Sequence, residues 1–274
     1  MADIKIGLAL GGGAARGLAH IPMLEVLDEL GIRPHRIAGT SMGALVGAAY
    51  AAGIPAKQLR AHVLEVLGNR IEAARRLLGG GRELFSFKGF GQALINGEVL
   101  TRMMLPEGVP SEIEALPIAF SVSAADFYGA REVVLASGSL LQAVAASIAI
   151  PGVIAGPELD GRLLVDGGVI NPLPVDHLLK DCQFTIAVDV TGRPMAGPKA
   201  PSSTDLMLGA VQLFTRQIIS LRNAQHAPDV YVEPQVGHFR AHDFLKVREI
   251  LEVGDGLKDP FRRQLELALT KLNA

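Results

Sequence analysis

Residues 4–52 read IKIGLALGGGAARGLAHIPMLEVLDELGIRPHRIAGTSMGALVGAAYAA, and the order of events inside them decides the fold. Ile4–Leu10 is a short apolar run with one charge, the pattern of a buried strand. It breaks at Gly11-Gly12-Gly13. From Ala15 to Leu30 the residues Leu18, Ile21, Leu24 and Leu27 recur at helical spacing, and Gly31 stops that helix. A second strand, Arg36–Gly39, runs into Thr40-Ser41-Met42-Gly43 and then into a small-residue helix, Ala44–Ala52. Strand, glycine turn and helix, repeated, predict an α/β fold with a parallel sheet covered on its faces. Right-handed crossovers bring both glycine turns to the same carboxyl-terminal edge, where sites form in such sheets.

Working outward, Ala56–Leu78 reads as a helix broken by Gly79-Gly80-Gly81, and Leu84–Leu105 is less regular, with Phe85, Phe87 and Phe90 close together. Ile118–Ala124 and Arg131–Ala136 read as strands, and Leu140–Ile150 as a helix stopped by Pro151-Gly152. Arg162–Val165 is a short strand that ends at Asp166-Gly167-Gly168, and Ile186–Val190 is another. A Pro/Gly/Ser-rich linker, Gly192–Ser203, leads to a helix (Asp205–Gln225), a strand (Asp229–Glu233) and a final helical pair.

Composition bounds the function. The 274 residues are 49% apolar and 20% charged, enough to bury a large core and the opposite of a disordered chain. A net charge of −2 gives no general attraction to nucleic acid. One cysteine, Cys182, excludes an internal disulfide framework and fits a reducing compartment. Met1–Lys5 lacks the basic-then-apolar order of a secretion signal, and no apolar run reaches the roughly 18 residues needed to span a bilayer. The expectation is a soluble cytoplasmic protein.

Gly39-Thr40-Ser41-Met42-Gly43 matches G-x-S-x-G. Small residues two before and two after the serine let the chain turn sharply from strand to helix and expose the hydroxyl. Gly11-Gly12-Gly13-Ala14-Ala15-Arg16-Gly17 fails the dinucleotide fingerprint, because Arg16 or Ala14 falls where a glycine is required. It reads better as a loop whose amides, with the helix that follows, bind a negative oxygen. Arg16 suits a phosphate, a helix carboxylate or an ion pair that orders the loop. The histidines are His20, His35, His62, His177, His226, His238 and His242. None follows a strand as an acyl-transfer base would, and each reads as an ordinary core or surface residue. The stronger base is Asp166, at a strand end with two glycines leaving room around it, although Asp-Gly-Gly alone is commonly a turn.

Together these elements resemble the patatin-like phospholipases, acyl hydrolases with a Ser–Asp dyad in place of a triad. The oxyanion loop of that family corresponds to Gly12–Gly17, its nucleophile elbow to Gly39–Gly43 and its Asp-Gly-Gly to Asp166–Gly168. A fourth block, Ala-Ser-x-x-x-Pro, is matched by Ala146-Ser147 and Pro151, and Asn171 and Pro174 fit the segment after the aspartate. The chain departs from the pattern at Ala14, where many members carry glycine; an alanine serves there if its φ is negative. The resemblance implies a three-layer α/β/α sandwich with a mainly parallel sheet. It implies a catalytic domain at 6–190 and a C-terminal extension, 191–274, packed on the same domain. It also implies Ser41 as nucleophile, Asp166 as base, the Gly12, Gly13 and Ala14 amides as oxyanion donors, and Arg16, Gly17, Gly39, Gly43, Gly167 and Gly168 as supports.

The expected activity is hydrolysis of lipid or other carboxylic esters with no cofactor and no metal. Expected partners are the ester substrate and, at most, a peripheral membrane contact, without nucleic acid. Ser147 is expected mid-helix, packing the wall of the site, and Phe85–Leu105 is a candidate cap over an acyl channel. Asp205–Gln225 has the apolar surface for a homo-oligomer interface, with burial in the monomer as the default. A regulatory or binding protein that keeps the fold without turnover is the alternative. A histidine-dependent α/β-hydrolase is disfavoured because Ser41 lies so early in the chain.

Overall fold

A computed structural model describes residues 4–68, 85–86, 94–195 and 203–272. The strands are β1 (Ile6–Leu10), β2 (Arg36–Thr40), β3 (Phe85–Ser86), β4 (Leu94–Asn96), β5 (Ala119–Asp126), β6 (Arg131–Leu135), β7 (Ile154–Ala155), β8 (Glu158–Leu159), β9 (Arg162–Asp166), β10 (Phe184–Val188) and β11 (Val230–Val232). The helices are α1 (His20–Glu29), α2 (Met42–Ala51), α3 (Ala56–Leu67), α4 (Gly97–Met104), α5 (Leu140–Ser147), α6 (Ser203–Gln225), α7 (Val247–Asp255) and α8 (Lys258–Leu272).

An eight-stranded sheet runs β11-β10-β1-β2-β5-β9-β8, with β6 on the other side of β5. The β11-to-β5 portion is parallel, and β6, β9 and β8 are antiparallel additions. Side chains alternate across the strands, and the two faces receive different sizes. Leu8, Leu10, Ile37, Ile186 and Val188 enter a core shared with α1, α2, α3, α5, α7 and α8. Ala9, Ala38 and Ala187 face the other way, onto Leu173, Val175, Leu178 and Ile219 of α6. The result is the three-layer α/β/α arrangement, and the alanine face lets residues 171–178 lie close against the sheet.

The differences from the expected elements have local causes. The first helix opens as a 3-10 turn, Ala14–Ala19, because the Arg16 amide bonds back to Gly13 O, and only from His20 is it α-helical. The α2 helix begins at Met42, two residues early, since Ser41 itself takes the N-cap position. The α5 helix stops at Ser147, short of Ile150; the residue before Pro151 is biased away from helical backbone. Past Leu67, the rest of the helix expected to Leu78, its glycine break, Phe87, Phe90 and the side chain of Phe85 lie outside the described residues. The default expectation for α6 is not met along its length: Leu206, Met207, Phe214 and Leu221 are each more than half exposed. No helix among the described residues is long and apolar enough to cross a membrane.

Candidate active site

Strand register brings the serine and the aspartate together. Thr40 of β2 lies opposite Ser123 of β5, and Asp166 of β9 lies opposite the next residue, Ala124. With β6 on the opposite side of β5, β2 and β9 share one flank and approach each other end to end. Ser41, one residue beyond β2, therefore meets the last residue of β9. Its hydroxyl donates to Asp166 Oδ2 at 2.7 Å. Both groups are buried, Ser41 being 6% and Asp166 7% exposed.

The elbow is held under strain. Ser41 has φ 54° and ψ −121°, a conformation that L-residues avoid. Its amide donates to Ser147 Oγ at 2.8 Å, and the Ser147 hydroxyl donates to Ser123 O at 2.7 Å. Ser147 ends α5 and buttresses the turn; the Ala-Ser-x-x-x-Pro block was the signal for it, but the bond to Ser41 spans 106 residues. Close approach explains the flanking glycines. A Cβ on Gly43 would stand 2.1 Å from Leu10 O, and one on Gly39 would stand 2.6 Å from Ala44 Cα. Gly17 likewise lies against Met42, and Gly167 against Ser123 O.

Asp166 accepts from the Gly168 amide through Oδ1 at 2.7 Å, and its own amide donates to Ala149 O at 2.9 Å. Burial pushes its carboxyl up to about 6, against the opposing pull of the Ser41 and Gly168 hydrogen bonds. Among the described residues no cation pairs with it to hold the charged form, and this carboxylate approaches the proton affinity of an ordinary histidine.

The glycine loop lies beside the serine; a Cβ on Gly12 would sit 3.3 Å from Ser41 Cβ. The Gly12 amide, expected among the oxyanion donors, is committed elsewhere: it donates to Pro172 O at 2.9 Å, which fastens the loop. Among the described residues the Gly13 and Ala14 amides have no acceptor, and Met42, first in α2, has none within its helix. Ala14 departs from the expected negative φ: it sits at +49°, the left-handed region, where glycine would carry less strain. Arg16 turns back on its own loop, its Nε donating to Gly13 O at 3.2 Å. Burial lowers its guanidinium to about 10, with Asp189 pulling the other way.

No histidine bonds to Ser41 or Asp166 among the described residues. His20 is fully buried and donates Nε2–H to Gly11 O at 2.8 Å; burial drops it to about 4, so it is neutral at pH 7. His177 belongs to a second polar cluster, which also contains Glu132, Asn171, Asp176 and Arg222. Glu132 Oε1 accepts from Ser123 Oγ (2.7 Å), Asn171 Nδ2 (2.8 Å) and His177 Nε2 (2.9 Å). Arg222 pairs with Asp176 at 3.1 Å and approaches Glu132 at 3.6 Å. The ligand atoms of Glu132, Asp176 and His177 lie within 4.8 Å of one another, but these partners already occupy them. Asn171 joins this cluster to the site: its carbonyl accepts from Thr40 Oγ1 at 2.7 Å, and its amide donates to Gly167 O at 2.8 Å.

Comparison with known proteins follows the same lines. A family model described as patatin-like phospholipase matches residues 8–179. An uncharacterized NTE family protein of Mycobacterium tuberculosis is 38% identical over 202 residues, covering 71% of this chain and 51% of the relative. The lysophospholipase nte1 of Aspergillus fumigatus is 27% identical over 285 residues, 95% of this chain but 18% of that protein. The chain thus spans about half the length of the mycobacterial relative it matches, and less of the fungal one. Among solved structures, full-length ExoU in complex with SpcU, from the type III secretion system of Pseudomonas aeruginosa, aligns at a TM-score of 0.50 and 14% identity. That alignment covers 97% of this chain and 53% of the other, a likeness of fold.

Proposed function

The chain belongs to the patatin-like phospholipase family, and from that premise we propose that it is a serine acyl hydrolase cleaving carboxylic esters of lipids. The observation that carries the reading is the 2.7 Å hydrogen bond from Ser41 to a buried carboxylate raised to about 6. A serine hydroxyl needs a base to take its proton, and Asp166 is the group in contact with it. In the proposed reaction Ser41 Oγ attacks the ester carbonyl while its proton passes to Asp166 Oδ2. The oxyanion that develops is stabilised by the unengaged Gly13 and Ala14 amides. Collapse breaks the ester C–O bond and returns the proton to the leaving alcohol. Water then attacks the acyl-enzyme with Asp166 again as base, and Ser41 is regenerated. We assign residues 6–190 to the catalytic unit and 191–274 to an extension whose α7 and α8 share a core with α1.

A fluorophosphonate probe tests the reading directly. It should form one adduct, mapped by mass spectrometry to Ser41, and labelling should vanish in Ser41→Ala. Folded wild-type protein that neither labels nor hydrolyses any ester would instead favour a binding or regulatory role.

A further inference from the structure

We propose that His20 is a positioning residue for the hydrolysis: it aims the Gly13 and Ala14 amides by clamping the peptide that joins Gly11 to Gly12. The inference rests on the esterase reading above and deepens it. That peptide is gripped at both of its polar groups. Its carbonyl, Gly11 O, accepts from His20 Nε2 at 2.8 Å, and its N–H, on Gly12, donates to Pro172 O at 2.9 Å. The two groups of a trans peptide point in opposite directions, so bonds on both fix its plane. The Gly11 amide donates to Val188 O, the last residue of β10, which anchors the approach to the loop. On the far side, Gly13 O accepts from the Arg16 amide and from Arg16 Nε, each at 3.2 Å. Among the described residues the peptide between Gly12 and Gly13 makes no hydrogen bond of its own, so the Gly13 N–H takes its direction from these two held neighbours.

Packing alone explains His20 poorly. It is the first residue of α1 and fully buried, and its ring reaches back to Gly11. A carbonyl can only accept, so Nε2 carries the proton and Nδ1 is the acceptor of the ring. That Nδ1 is buried with no partner among the described residues. A side chain kept only to fill this space would be apolar, as Ile21 and Leu24 of the same helix are; the stranded Nδ1 accompanies the one donor the loop needs. Burial lowers the ring to about 4, against the Gly11 bond and Asp189, while Asp166 stands at about 6. His20 therefore donates the same bond throughout the range in which Asp166 ionises. Pro172, the other jaw of the clamp, follows Asn171, whose amide donates to Gly167 O and whose carbonyl accepts from Thr40 Oγ1. The clamp thus ties the glycine loop to the segments that carry Ser41 and Asp166.

Substitutions of similar size test the clamp. Leucine fills the place of the ring without a donor, glutamine offers an N–H near the position of Nε2, and asparagine falls one bond short of it. With p-nitrophenyl butyrate as substrate, His20→Leu should lower kcat at least tenfold with KM within twofold of wild type, because the oxyanion exists in the transition state and not in the ground state. His20→Gln should return kcat to within about threefold of wild type. The rise of kcat/KM with pH should keep its midpoint in both. A kcat for His20→Leu within twofold of wild type, a loss carried by KM, or a His20→Gln no better than His20→Leu would overturn the proposal and leave the esterase reading intact. Should His20→Leu fail to fold, His20→Asn is to show the same loss beside His20→Gln. Hydrogen exchange of the Gly12 amide, followed by NMR, needs no turnover. Exchange at least tenfold faster in His20→Leu and restored in His20→Gln supports the clamp even if the wild type hydrolyses no ester. Equal rates in all three proteins count against it.

Discussion

Asp166 and Glu132 are both carboxylates withdrawn from water near the end of β5, and their surroundings send them in opposite directions. Burial raises both. Around Glu132 that penalty is outweighed by hydrogen bonds from His177, Ser123 and Asn171, and its carboxyl falls below the ordinary range. Around Asp166 the Ser41 and Gly168 bonds only reduce the penalty, and its carboxyl stands at about 6. The cluster of Glu132 satisfies its charge and serves to hold loops together. The site of Asp166 leaves a charge under-compensated, which makes it a group ready to take a proton. Both are buried polar networks, and what separates them is whether a cation or a surplus of donors stands beside the carboxylate.

The strongest way to break this contrast is Asp166→Asn. Ester turnover should fall about 10³–10⁴-fold, since the nucleophile loses its base while its geometry survives. The same variant should fold more stably at neutral pH, by an amount of order 1–3 kcal/mol, because a costly buried charge is gone. The sign follows from the raised value. The folded protein binds the proton more tightly than the unfolded chain, so wild-type stability is lost as pH rises from about 4 to about 6. The gain of the variant should therefore grow across that window and disappear below it. In the wild type, kcat/KM should climb with pH through about 6 and then level, as a base that must be ionised requires. A profile flat from pH 5 to 8 would remove Asp166 from the proton transfer.

Glu132→Gln should do the reverse. It keeps the shape but discards the charge that His177 and Arg222 face, and we expect a loss of about 1–3 kcal/mol at pH 7.5, read from denaturant midpoints. The carboxyl of Glu132 is lowered by folding, so its contribution is present above the ordinary glutamate range and fades in acid; the deficit should shrink as pH falls. Activity should drop less than tenfold, through Asn171 and the loop after Asp166. Midpoints that move in the same direction for Asp166→Asn and Glu132→Gln at pH 7.5 would dissolve the distinction between the two networks.

The legible parts of this site were those imposed by local sterics. Gly39 had to be small because the chain folds onto Ala44 within a few residues, and Gly43 because the turn packs against the Leu10 carbonyl at the end of β1, so the elbow around Ser41 could be found from five letters. The Gly11–Gly17 loop and Asp166–Gly168 were likewise short patterns, and short apolar runs ending at glycine turns, alternating with helical spacing, placed the parallel strands. The parts that escaped depend on contacts across the chain. Ser147 looked like a mid-helix wall residue because its bond to the Ser41 amide crosses 106 positions. The commitment of Gly12 to Pro172 depends on residues 171–178 lying close to the alanine face of the sheet, which no motif states. Glu132 is one letter in an ordinary strand, and only the fold gives it His177, Asn171 and Arg222 as neighbours.

The smallest expected effect concerns strain, which is also unevenly distributed. Among the described residues the non-glycine positions with positive φ are Ala14, Ser41, Ala130 and Asp160. The last two sit between adjacent antiparallel strands, the first two at or beside the Ser41–Asp166 hydrogen bond, and none belongs to the Glu132 cluster. At φ +49° an alanine costs about 1 kcal/mol relative to glycine. Part of that is recovered because glycine makes the unfolded chain more flexible. Ala14→Gly should therefore gain under about 1 kcal/mol, a rise in Tm of a few degrees at most. The Ala14 amide remains, but the alanine Cβ no longer restricts its peptide, so kcat should fall two- to fivefold with KM little changed. A stabilised variant with unaltered kcat would mean that the loop is aimed by the Gly12–Pro172 and Arg16–Gly13 bonds alone, and that the strain at Ala14 contributes nothing to the chemistry.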